Sequence, residues 1–254
     1  MIKGLYAAAS AMAAGLTRQN LLSHNLANID TPGFKQHLVT LDDFLYTRQT
    51  TPAPKTLGGE AARVLGWPGL GVETAAPEID FQEGALRQTG EPLDFALQGA
   101  GFFQVRTPDG DRYTRDGRFL RDADGQLVTS EGYLVLDAAG APLNLPLGTV
   151  AVTGEGALTV DGQAAGQLAI GVFADPAVEL QRDPQRGNLF TAAAAPTGTE
   201  PGTVVQGYLE TANVNPAQIM TQMVAVGRAY EAAQLLVQVQ DELLGRAIST
   251  ISRL

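Results

Sequence analysis

The two ends of this chain carry apolar residues at helical spacing, while its middle carries them at strand spacing, and that division limits the folds open to it. Ile2, Leu5, Ala9, Met12 and Leu16 recur at alternating intervals of three and four, and Leu22 and Leu26 continue the apolar character. A first helix is expected from about Ile2 to Asn28. At the other end Ile219, Met223, Val226, Tyr230, Ala233, Val237, Gln240, Leu244, Ala247, Ile251 and Leu254 hold the register of a helix that packs on another helix, with Gln240 the single polar member. At about 1.5 Å per residue this second helix is on the order of 55–60 Å long, well beyond the globular average. One short partner in a monomer cannot cover it. The seams are expected to pair the two termini, or to pack against neighbouring copies of the chain.

Punctuation supports both boundaries. "SHNLANIDTPGFK" reads as a helix ending: Asn25 and Asn28 tolerate left-handed backbone, Pro32 cannot continue a helix, and Gly33 accepts positive φ, with Phe34 closing the junction. "TANVNPAQ" reads as a helix beginning, with Asn213 and Asn215 before it and Pro216 at the first helical position, where its missing N–H costs nothing.

Between these signals the apolar period falls to two. From about Leu86 short apolar runs alternate with Asp-Gly, Ala-Gly and Gly-Glu-Gly turns, the pattern of antiparallel sheet, and the 29 Gly and 14 Pro fit a turn-rich body. The expected fold is α+β: a mainly antiparallel β body, partly barrel- or sandwich-like, flanked by long terminal helices. The divisions are 1–34 for the first helix, 35–80 for an extended connector and loop, 81–207 for the β body and 208–254 for the second helix.

Chemistry finds little purchase. The 17 basic residues are scattered against 27 acidic ones, for a net charge of −10, which argues against a nucleic-acid surface. There is no cysteine, hence no disulfide or thiolate chemistry, and no stretch approaches the roughly 20 apolar residues of a membrane span. The opening "MIKGLYAAASAMAAG" imitates a secretory signal, but its helical period runs on through the Ala-Ser-Ala segment, so a structural helix is the better reading. His24 and His37 lack carboxylates at ligand spacing. "LRDADGQLVTSE" places Asp122, Asp124, Gly125 and Glu131 as in a calcium loop, yet starts on Leu120 and reads better as a hairpin turn. "QGAGFF" lacks the third glycine of a dinucleotide fingerprint and reads as a bend. No catalytic residue, metal ligand or cofactor is expected.

The blocks "SHNLANIDTPGFK", "LDFALQGAGFFQV", "YTRDGRFLRDADGQLVTSEGYLV" and "QGYLETANVNPAQIMTQMVAVGRAYE" resemble, in order, the signature segments of the bacterial flagellar rod and hook axial family. The resemblance implies a structural subunit of the basal-body rod whose terminal helices assemble into an inner tube around the export channel. Such a rod transmits torque from motor to hook. Implied partners are copies of the chain, other rod and hook axial proteins, and the flagellar type III export apparatus. The implied location is the basal body outside the cytoplasmic membrane, reached without a cleaved signal. A second reading is a secreted β-domain that binds carbohydrate or cell wall through aromatics around Tyr113, Phe119 and Tyr133, with terminal helices that do not assemble.

Overall fold

In a computed structural model, residues 2–38, 41–46, 49–50, 64–66, 69–74, 76–198 and 201–251 are described. They fall into two compact units, one from Met1–His24, His37–Glu78 and Pro216–Leu254, the other from Asn25–Gln36 and Ile79–Asn215.

The first unit is built on two helices, α1 (Ile2–Ala27, 26 residues) and α3 (Pro216–Ile251, 36 residues). A Cβ on Gly4 would collide with the Gln240 amide, and one on Gly15 would touch Tyr230 and Val226. Moving up α1 thus means moving down α3, so the helices pair antiparallel. At about 1.5 Å per residue in both, the start of α1 falls level with about residue 242. Roughly ten residues of α3 therefore extend past it. Within the segment expected as an extended connector and loop, Leu41–Tyr46 runs antiparallel to Gly69–Thr74, and Gln49–Thr50 to Val64–Gly66, while 51–63, the centre of the expected loop, lie outside the described residues. Ser10 Oγ, on α1, accepts the Val72 amide hydrogen at 3.2 Å. No described helix is long and apolar enough to cross a membrane.

The second unit is the β body. Its main sheet uses β1 (Phe102–Thr107), β2 (Gly110–Thr114), β3 (Phe119–Arg121), β4 (Leu127–Thr129), β5 (Leu134–Val135), β6 (Ile170–Gly171), β7 (Leu180–Arg182) and β8 (Phe190–Ala192). The order is β3-β4-β5-β1-β2-β8-β7, with β6 also on β1, and every pairing is antiparallel. A single helical turn, α2 (Pro176–Glu179), leads into β7. Among the described residues no sheet closes into a barrel. Alternation along the strands sends Phe95, Leu97, Phe103, Val105, Phe119 and Leu127 into one apolar cluster. Phe102, Tyr113, Phe173, Leu180 and Phe190, on the other face, form a second. Asp122 Oδ1 accepts the amide hydrogens of Asp124 and Gln126, closing the β3–β4 hairpin turn that the sequence led one to expect there.

Candidate assembly site

Where the chain leaves α1 and where it returns to α3, the β body bolts the two passages together with buried charge. After α1 the backbone turns through Asn28 to Thr31, whose amide donates to the Asn28 carbonyl at 3.1 Å. Gly33 follows at φ +67° and donates to the Glu210 carbonyl at 2.8 Å. A side chain there would strike the Arg115 and Asp116 backbone, so glycine is required by both conformation and space. Beyond it, the Lys35 ammonium donates at 2.6 Å to Glu210 Oε1 and at 2.6 Å to the Gln82 carbonyl. Glu210 also accepts from the Gly84 amide at 2.9 Å and from Arg115 Nη1 at 3.4 Å. Arg115 also donates to the Leu97 carbonyl through Nη1 and to the Gly99 carbonyl through Nη2.

The three charged side chains are almost dry, with exposures of 1% for Lys35, 2% for Glu210 and 5% for Arg115. Burial pushes the Lys35 ammonium below its ordinary range while Glu210 pulls the other way, and burial lowers Arg115 likewise. Phe34 is covered by the Arg182 guanidinium, 4.5 Å from its ring, and that guanidinium donates to the Lys35 carbonyl at 2.6 Å. With desolvation as the cause, Arg182 falls to about 10. Asn213 completes the joint: its Oδ1 accepts the Gln36 amide hydrogen at 2.8 Å, and its Nδ2 donates to the Asp80 and Gln82 carbonyls. Asn188 Nδ2 donates to the Pro32 carbonyl at 2.8 Å. Lys35, Glu210 and Asn213 reach across both passages with these bonds, so the cluster acts as a clamp that fixes two chain passages side by side.

The helical pair presents a different surface. On α3, Ile219, Val226 and Ala233 are buried, and Met223, Tyr230, Val237 and Leu244 half-buried. At about 100° per residue these residues form one stripe. Met220, Val224, Leu235, Val239 and Leu243, all exposed, form a second stripe on roughly the opposite face. A helix apolar on both faces is built to be covered on both. A shallow apolar groove lies along that second face at Thr221, Val224, Ala225 and Arg228. Exposed Ile248 sits on the first stripe, but beyond the start of α1.

Three family models match the chain: "Flagella basal body rod protein" over residues 5–35, "Flagellar hook protein FlgE/F/G D1 domain" over 96–185 and "Flagellar basal body rod FlgEFG protein C-terminal" over 205–250. The chain is 30% identical to the flagellar basal-body rod protein FlgG of Bacillus subtilis, covering 98% of this chain and 99% of the relative. It is 34% identical to FlgF of Rhizobium meliloti, over 99% and 98% of the two chains, and 34% to FlgG of Agrobacterium fabrum, over 95% and 97%. This chain belongs to the flagellar basal-body rod protein family. It is of the FlgG/FlgF type, a structural rod subunit.

In this rod subunit the residues singled out from sequence separate into three groups. Pro32, Gly33, Phe34 and Asn213 meet in the clamp, while Asn25 is buried at the end of α1, Asn28 starts the turn, and Asn215 and Pro216 stand where α3 begins. The α3 stripe from Ile219 to Leu244 faces inward. The α1 stripe divides: Leu5, Met12 and Leu26 are half-buried and Leu22 buried, but Ala9 and Leu16 are exposed. Ala8 and Ala14 are buried in their stead, because the close-packed face of α1 is made of small residues. The side chains of Ile2 and Ile251 lie outside the described residues. Lys35, Glu210, Arg115, Arg182 and Asn188 were missed. The available signal was a charge set inside each turn block, in "TPGFK", "YTRDG" and "YLETAN". The aromatics of the carbohydrate-binding reading point elsewhere: Tyr113 and Phe119 are buried in the core, and the Tyr133 hydroxyl accepts from Arg186.

Proposed function

We propose that the helical pair is the unit of polymerisation. The face of α3 bearing Met220, Val224, Leu235, Val239 and Leu243, with Tyr6, Ala9 and Leu16 of α1, packs against neighbouring copies and other flagellar axial proteins in the basal body. The observation that carries this is the exposed apolar stripe opposite the seam that α1 already covers. Burial of about 100–150 Å² per large apolar side chain contributes roughly 25 cal/mol per Å², so five such residues offer roughly 12–19 kcal/mol per contact before ordering costs.

Repeated without closing into a ring, such a contact makes a helical array, which suits a shaft that carries torque from motor to hook and encloses the export channel. Residues 1–34 and 208–254 serve assembly in this reading, and 35–80 and 81–207 form the connector and the outer body. The subunit travels through the type III export apparatus without a cleaved signal and assembles outside the cytoplasmic membrane. Val239→Glu and Leu243→Glu test the proposal. Purified variants keep the circular dichroism and melting temperature of the parent, while cells carrying them lose the rod segment and motility. Motile cells with intact rods would overturn it.

A further inference from the structure

Besides the helical pair, the β body presents a knob beside an edge strand of its main sheet and, on a different surface, a socket where the central strand β1 begins. The socket is a cleft of about 200 Å³ walled by Phe81, Phe102, Phe173 and Pro176, with exposed Ala100 at its mouth. That volume falls below the roughly 300–1,000 Å³ of small-molecule pockets and suits a single side chain with its backbone. Its polar lining is Glu83, exposed, and the buried Arg115, whose Nε hydrogen has no acceptor among the described residues. Leaving a buried donor unpaired costs about 1–3 kcal/mol, so an occupant bringing a carbonyl is favoured.

The knob is Leu147, at 85% exposure the most exposed large apolar side chain among the described residues. An isolated surface leucine needs no explanation by itself, but this one is held rigidly. Leu145 donates to the Gly125 carbonyl at 2.7 Å, Arg121 Nη1 donates to the Pro146 carbonyl at 2.8 Å, and the Thr149 amide donates to Asp161 Oδ1 at 2.9 Å. A side chain presented on a loop already fixed loses little entropy on docking. Arg121 places a positive charge beside the knob, and Glu83 places a negative one in the socket. Arg121 belongs to β3, one edge of the main sheet, whereas Phe102 opens the central strand β1 and Pro176 opens α2, so knob and socket lie on different parts of the body.

We infer that the Leu147 loop of one copy seats in the Phe81–Phe102–Phe173 socket of the next, with Arg121 meeting Glu83, as a second, head-to-tail contact between bodies. It rests on the assembly reading above. Knob and socket are different surfaces, so the contact is heterologous and propagates along a filament.

The chain has no cysteine, which makes crosslinking clean. The full-length Leu147→Cys, Ala100→Cys double variant, recovered in basal bodies and treated with a short bismaleimide, runs on a denaturing gel as a ladder, with most of the monomer band lost. Each single variant gives no ladder. Assembled rods of the double variant that release only monomer overturn the contact but leave the helical assembly intact. Absence of the unaltered chain from basal bodies overturns the assembly reading itself. If the cysteine pair blocks incorporation, a charge exchange decides. Glu83→Arg or Arg121→Glu alone lowers incorporation about fivefold through like-charge contact, and the two together restore it. Equal incorporation of all three, or no restoration, overturns the contact.

Discussion

Replacing Glu210 by Gln tests whether the clamp holds the β body together. The change keeps the side chain's shape and its oxygen for the Gly84 amide, but removes the negative charge that touches both Lys35 Nζ, at 2.6 Å, and Arg115 Nη1, at 3.4 Å. Both cations are nearly dry, so neither can recover its solvation without opening the structure. Breaking a buried ion pair from one side costs about 3–5 kcal/mol. For a body of this size each 1 kcal/mol lowers Tm by about 2–4 °C, which gives a fall of roughly 6–20 °C. Calorimetry of the full-length protein, with near-ultraviolet circular dichroism, measures it. The Arg106–Asp111 pair, whose side chains are 42% and 37% exposed, is the internal control. Arg106→Gln there costs no more than about 1 kcal/mol. Adding Lys35→Met to Glu210→Gln removes one stranded charge and recovers part of the loss, a non-additivity that independent sites do not show. A Tm for Glu210→Gln within about 3 °C of the parent, no lower than for Arg106→Gln, would refute the reasoning.

Two glycine substitutions of opposite sign separate backbone demands from packing. Gly33→Ala, at φ +67° against the Arg115 backbone, lowers stability by at least about 2 kcal/mol in chemical denaturation. Gly15→Ala, inside α1 with Tyr230 Cδ2 and Val226 Cγ1 at ordinary contact distances of 3.9 and 4.0 Å, raises helix stability by about 0.5–1 kcal/mol in the same assay. Arg182→Lys removes the flat guanidinium stacked on Phe34 and costs about 1–2 kcal/mol of β-body stability, although the charge is kept.

The two helices could be read from sequence because their signals are local: a run of 3.6-residue periodicity, then Asn, Pro and Gly at the ends. The inner face of α1 could not, since Ala8, Ala14 and Gly15 are weak on any hydrophobic count, and Gly15 gains its meaning only from Val226 and Tyr230, some two hundred residues away. Leu41–Tyr46 was open to an extended reading, but its partner Gly69–Thr74 was hidden by Pro- and Gly-rich composition that reads as loop. The clamp was hidden for another reason. Charged residues are normally assigned to the surface, and only the fold brings Lys35 against Glu210, 175 positions apart, in a site dry enough to make the pair matter. The turn signals around it were visible because glycine and proline act on their own backbone.

Hydrogen exchange on α3, followed in the dilute full-length monomer and again in the assembled rod, tests most directly the claim that this helix is built for partners beyond its own chain. Amides from about Leu235 to Ile251 exchange quickly in the monomer, where one face is bare and the last turns outrun α1, and become strongly protected in the rod. Equal protection of that segment in both states would contradict the account.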